Sequence, residues 1–158
     1  MRVSVVHGPN LNLLGQREPS VYGHATLADI DQRLSALAGE LGVELESFQS
    51  NAEGALIDYI QEAGTRCDGY LVNAGGLTHT SVALLDALLA VGRPYVEVHL
   101  SNPAGRERFR HRSLLAARAR GVVQGFGASS YALGLRGLVQ VVREGYHEPA
   151  VSTAPHKE

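Results

Sequence analysis

Short β-rich runs alternate with helical patterns along the whole sequence, and this alternation narrows the fold more than any single motif. Residues 3–6, 43–48, 70–73, 95–99 and 122–126 have the apolar, β-branched character of strands. Between the first two lies a helix with Thr26 as N-cap and Asp29 three positions on. Leu27, Ile30, Leu34, Leu37 and Leu41 recur along one face of it, and Gly42 ends it. Leu56, Ile57 and Ile60 mark a second helix, and Val82, Leu85, Leu88 and Leu89 a third. A more basic helix is expected over residues 106–119. A last one, near 131–146, is expected to bury Leu138, Val141 and Val142. Serial βα units predict an α/β fold with a parallel sheet, right-handed crossovers and helices on both faces. Five strands suit the three-layer, flavodoxin-like order 2-1-3-4-5. Residues 1–146 are expected to form a single catalytic domain, with residues 147–158 a flexible C-terminal tail.

In such a sheet, ligands bind outside the carboxyl ends of the strands, where the strand order reverses. The strand ends here are polar and rich in glycine. His7-Gly8-Pro9-Asn10 follows the first strand, Asn73-Ala74-Gly75-Gly76 the third, and the fourth ends in Glu97-Val98-His99-Leu100-Ser101-Asn102.

Composition narrows the chemistry. A formal charge of -2 argues against nucleic acid or an anionic membrane as the main partner. The one cysteine, Cys67, cannot form an internal disulfide and is expected to be a buried, inert thiol. Met1 to Val6 is too short an apolar run for a signal peptide, and no stretch approaches membrane-spanning length, so a cytoplasmic protein is the default expectation. All basic residues but Lys157 are arginine, which disfavours Schiff-base chemistry and a phosphate-loop lysine. The histidines are scattered without metal-ligand spacing, so neither metal nor cofactor is expected.

Three segments carry candidate chemistry. HGPNLNLLGQREPSVYG, residues 7–23, is long for a βα connection. Leu11, Leu13 and Leu14 are expected to pack on the core. Arg17 and Tyr22 are left over, between Gly15 and Gly23, which can hinge a lid. A tyrosine is a poor base at its ordinary pKa of about 10, but a nearby cation favours the phenolate. In NAGGLTHTSVALLDA, residues 73–87, Gly75 and Gly76 permit close backbone approach, and Thr80 or Ser81 caps the following helix. A solvated loop residue is the commoner fate of a lone histidine such as His79. Asp86 suits a surface or an intersubunit contact better than catalysis. In EVHLSN, residues 97–102, strand alternation puts Glu97 and His99 on one face. A carboxylate beside an imidazole orients the ring and favours its protonated, donating form. A structural pair is the competing reading, but a strand end at the ligand edge of the sheet favours catalysis. Arg106 and Arg110, four apart, are expected to share a helix face and grip an anion or hydroxyls, whereas Arg108 and Arg112 suit a solvated basic face.

Together these segments, with EVHLSN continuing as PAGRERFRHRS, resemble the type II 3-dehydroquinate dehydratases of the shikimate pathway, over residues 3–146. The resemblance implies a flavodoxin-like hydro-lyase, typically a dodecamer of trimers, working without metal or cofactor on a cyclic hydroxy-keto acid. It implies Tyr22 as general base, with Arg17 activating it and supporting an enolate. His99 would be the proton donor to the C1 hydroxyl, Glu97 would hold its imidazole, and Asn10 would position a water against the enolate oxygen. Asn73, His79, Arg110 and the backbone N–H groups of Leu100 and Ser101 correspond to substrate-binding groups, and Asp86 to a residue reaching a neighbouring subunit's site. A flavin-binding electron carrier is the alternative on the same fold. It needs a Ser/Thr/Gly-rich phosphate loop where this chain has proline, asparagines and leucines. A signalling receiver domain fits less well, because the third strand ends in Asn73 instead of aspartate.

Overall fold

The computed structural model describes residues 1–16 and 18–145, with Tyr22 described by its backbone alone. Five parallel strands form one sheet in the order β2-β1-β3-β4-β5. These are β1 (Arg2–His7), β2 (Glu44–Gln49), β3 (Gly69–Asn73), β4 (Tyr95–His99) and β5 (Gly121–Gln124). The expected order is therefore present. β5 stops at Gln124, two residues short of expectation. Gly125 and Gly127 take positive φ there, and Ser130 Oγ accepts the Phe126 N–H at 3.1 Å, turning the chain into the last helix.

Among the described residues, four longer helices and a single turn make up the α content: α1 (Pro19–Tyr22), α2 (Leu27–Leu41), α3 (Glu53–Ala63), α4 (Val82–Val91) and α5 (Ser129–Glu144). The Thr26–Asp29 capping box closes α2 reciprocally, and Gly42 ends the helix in a left-handed conformation. The α2 N-cap donors hold the exposed Asp29 carboxyl below its usual range. Ile30, Leu34 and Leu37 of α2 and Tyr131, Leu135, Leu138 and Val139 of α5 bury against Val3, Val5, Leu71, Val96 and Val98 on one face of the sheet. Val141 and Val142, expected to be buried, are only half-buried. On the other face, Leu56 and Ile60 of α3 and Leu84, Ala87 and Leu88 of α4 pack on Val6, Tyr70, Val72 and Tyr95. Truncating one such buried leucine to alanine typically costs about 2–5 kcal/mol. Cys67 is buried here too, and burial pushes its thiol pKa up, as suits an inert packing residue.

Two expectations need correction. Leu13, expected to pack on the core, is exposed at 40%, while Leu11 and Leu14 are buried as expected. The basic helix over 106–119 is absent. That segment forms 3-10 turns at Pro103–Gly105, Arg108–Arg110 and Ala116–Arg118. Its one fully buried apolar residue is Leu115, too little to hold a helix against the sheet. Among the described residues no helix is long and apolar enough to cross a membrane. Residues 146–158, and with them the expected tail, lie outside the described residues.

Candidate active site

Strand order reverses between β1 and β3, and a cavity of about 150 Å³ opens at their carboxyl ends. Its wall is built from the turns after three strands: Pro9, Asn10, Leu11 and Leu14 after β1, Asn73 to Gly76 (without Ala74) and His79 after β3, and His99, Leu100 and Ser101 closing β4. Pro103, Arg106 and Arg110 complete it.

The first two turns interlock. Gly8 N–H donates to the Asn73 carbonyl at 2.7 Å. A Cβ on Gly8 would stand 2.3 Å from the Ala74 carbonyl oxygen, so no side chain fits at that position. Gly75, at φ +58, also lies close to Pro9, where a Cβ would come within 2.9 Å of the carbonyl oxygen. Asn10 itself is left-handed at φ 68, a conformation that asparagine tolerates better than most residues. Its N–H is held at 2.9 Å by Asn51 Oδ1, which also accepts from Gln49 Nε2 at 3.1 Å. The end of β2 thus braces the backbone at Asn10.

Glu97 and His99 meet as the strand period requires. His99 Nε2 lies 2.5 Å from Glu97 Oε1, with Glu97 only 1% exposed. The second carboxylate oxygen, Oε2, accepts from Ser113 Oγ at 2.9 Å. That hydroxyl in turn accepts the N–H groups of Leu115 and Ala116, each at 3.0 Å, so its own proton has to point at Glu97. With the carboxylate ionised, Oε1 accepts the proton of His99 Nε2, which leaves Nδ1 for the cavity. His79 stacks 6.5 Å from the His99 ring and donates from Nδ1 to the Arg112 carbonyl at 2.7 Å.

Arg106 and Arg110 both reach the cavity, although by an irregular turn and not by a shared helix face. Glu107 lies between them, 2.7 Å from Arg110 Nε and 3.8 Å from Arg106 Nε. Its own backbone N–H, then Arg110, hold the exposed Glu107 carboxyl below its usual range. Asp86 sits exposed on α4 and does not line the cavity. Arg17 lies outside the described residues, as does the Tyr22 side chain; the Tyr22 backbone ends α1. Among the described residues no group of three or more histidine, cysteine or acidic side chains is placed to hold a metal ion.

Sequence patterns missed Ser113, Asn51 and Gln49. Ser113 is sixteen residues from Glu97 in an irregular segment, and Asn51 is forty-one from Asn10, so no local period links either pair.

An oriented imidazole, two arginines and two asparagines around a switch-point cavity define an α/β protein equipped for acid–base work on a small polar, anionic ligand. The family model described as dehydroquinase class II matches residues 1–139, and the chain belongs to that family. A 3-dehydroquinate dehydratase of Synechococcus sp. (strain CC9605) is 58% identical over 143 residues, covering 90% of this chain and 98% of the relative. Another, from Desulforudis audaxviator (strain MP104C), is 57% identical over 145 residues, covering 92% and 97%. The crystal structure of type II dehydroquinase from Propionibacterium acnes superposes with a TM-score of 0.84 at 37% identity, over 88% of this chain and 96% of that one.

Proposed function

We propose that this chain is a hydro-lyase that removes water from 3-dehydroquinate to give 3-dehydroshikimate, a step of aromatic amino acid biosynthesis. The carrying observation is the buried Glu97–His99 pair facing the switch-point cavity in a chain of the dehydroquinase family.

The reaction is an anti elimination. Tyr22, as phenolate beside the Arg17 guanidinium, takes a proton from C2, next to the C3 ketone. The C–H electrons move onto the ketone oxygen as an enolate, stabilised by Arg17 and by a water held by Asn10. The enolate then collapses to the C1–C2 double bond as the C1–O bond breaks. His99, as imidazolium, gives its Nδ1 proton to the departing hydroxyl, and water leaves. Glu97 keeps the ring fixed and stabilises its charge. Asn73, His79, Arg110 and the N–H groups of Leu100 and Ser101 hold the substrate's oxygens. Each proton transfer is thus assigned to a side chain of this protein. Adding 3-dehydroquinate should produce the ultraviolet absorbance of a conjugated enone. A flat trace with pure, folded protein would refute the assignment.

The assembly belongs to the same proposal: a dodecamer of trimers, with Asp86 reaching a neighbouring subunit's site. Its exposure on α4 supports an intersubunit role, as does the exposed Val82 on the same helix. Light scattering is expected to give a twelvefold mass, and a monomer at working concentration would contradict it.

A further inference from the structure

Residues 112–115 have no step in that mechanism, yet they bond to both walls that carry its histidines. Alternate residues of the segment serve opposite sides. On one side, the Arg112 carbonyl accepts the His79 Nδ1–H at 2.7 Å, and the Leu114 N–H donates to the Thr78 carbonyl at 2.9 Å. Both partners belong to the 3-10 turn Gly75–His79 that follows β3. On the other side, Ser113 Oγ donates to Glu97 Oε2 at 2.9 Å, and the Leu115 carbonyl accepts the Tyr95 hydroxyl at 2.5 Å. Tyr95, Glu97 and His99 are every second residue of β4, so they leave one face of the strand. The segment follows that face in reverse order, with Leu115 at Tyr95 and Ser113 at Glu97. Arg112 then holds His79, whose ring stacks on His99.

The donors and acceptors leave these ties little freedom. The Ser113 hydroxyl accepts the N–H groups of Leu115 and Ala116, which occupies both lone pairs and directs its one proton to Glu97. The Arg112 carbonyl can only accept, so neutral His79 carries its proton on Nδ1. Neutral His99 is the reverse, with its proton on Nε2 against Glu97. Two stacked rings are thus held in opposite tautomers through neighbouring residues of one segment. Any slip of residues 112–113 along β4 stretches both ties together. The far end resists such a slip. Leu115 is fully buried, and its carbonyl also accepts the N–H groups of Arg118 at 3.1 Å and Ala119 at 3.2 Å.

We propose that residues 112–115 form a strap that sets His79 and His99 as a pair, with Ser113 and Tyr95 as its positioning residues. The strap rests on the reading of this cavity as the dehydroquinate site, in which His79 binds substrate and His99 supplies a proton. It therefore bears on KM and kcat at once, whereas a bond that served Glu97 alone would bear on kcat. A buried polar network is costly when partly satisfied, so a carboxylate that loses the Ser113 donor turns and takes the imidazole with it.

The test compares Ser113→Ala, Ser113→Thr and Tyr95→Phe in the full-length enzyme, read as kcat, KM and the nitrogen-15 shifts of both rings. Ser113→Ala removes three bonds. It is expected to lower kcat and raise KM, each by roughly three- to eightfold. Both rings should leave their single tautomers. Ser113→Thr keeps the hydroxyl and should recover most of both losses. Tyr95→Phe keeps the ring packing, and the Leu115 carbonyl keeps its two N–H donors, so this variant is expected to fold. It should move kcat and KM in the same directions by about two- to threefold, with smaller shifts at both rings. A Ser113→Ala enzyme with lower kcat but unchanged KM and an unchanged His79 ring would overturn the strap, leaving Ser113 a partner of Glu97 alone. So would a Tyr95→Phe enzyme that melts earlier with both constants and both rings untouched. If Ser113→Ala fails to fold, Tyr95→Phe decides alone. The ring shifts need no turnover. A wild-type protein inactive on 3-dehydroquinate whose two rings still respond together would overturn the function and leave the strap standing.

Discussion

Tyr22→Phe is expected to lower turnover by roughly 10²–10⁴-fold, about 3–5 kcal/mol in the barrier, while product affinity changes little. The variant keeps the ring and removes the atom proposed to accept the C2 proton. Arg17→Ala should fail in a different way. Without the guanidinium the tyrosine returns towards its ordinary pKa of about 10, leaving about one phenolate per thousand at pH 7. Raising the pH should therefore recover part of the Arg17→Ala activity and none of the Tyr22→Phe activity. Arg17→Lys should recover less than a full charge replacement suggests, because an ammonium lacks the planar fork. Turnover rates across a pH series for the three variants test this. Near wild-type turnover in Tyr22→Phe would move the base elsewhere, with His99 or a bound water the first suspect.

His99→Ala is expected to lose roughly 10²–10⁴-fold in kcat by removing the acid proposed to protonate the leaving hydroxyl. The carboxylate beneath it gives the more specific prediction. Glu97→Gln has nearly the same shape, yet it should be poorly tolerated. Glu97 accepts from His99 on one oxygen and from Ser113 on the other. A glutamine has only one carbonyl oxygen, so its NH₂ must face either the imidazole N–H or a hydroxyl whose proton already points inward. A loss of at least about tenfold is expected, and Ser113→Ala, which removes a donor without creating a clash, should cost less. Nitrogen-15 shifts of the His99 ring provide the check. Wild type should carry the proton on Nε2 when neutral, and Glu97→Gln should disturb that preference. An undisturbed tautomer with full activity would mean that the carboxylate does not orient the ring.

The parts of this fold governed by a period were legible in the sequence. Alternation of two placed Glu97 and His99 on one face of β4, and the spacing of Ile30, Leu34 and Leu37 marked the buried face of α2. The Thr26–Asp29 box is a local contact and gave the start of α2 directly. Where a period was lacking, the reading failed: the arginine-rich segment has helical composition but no apolar stripe. The site divides in the same way. Its strand-end residues lie in runs, but Ser113 meets Glu97 across 16 residues, through packing that no short window contains.

The interlocked glycines after β1 and β3 bear on how such a cavity can change over time. Gly8 and the Ala74 carbonyl leave no room for a methyl group, and Gly75 and Pro9 leave little. Asn10 and Asn73 therefore ride on one mechanical unit, since either turn can move only by carrying the other along. Ligand preference here cannot be retuned one loop at a time from this side. The adjustable wall is the one carrying Arg106 and Arg110, whose short turns are anchored by few buried groups. Engineering or drift towards a differently substituted ring should begin in residues 103–112, with the asparagine floor inherited unchanged.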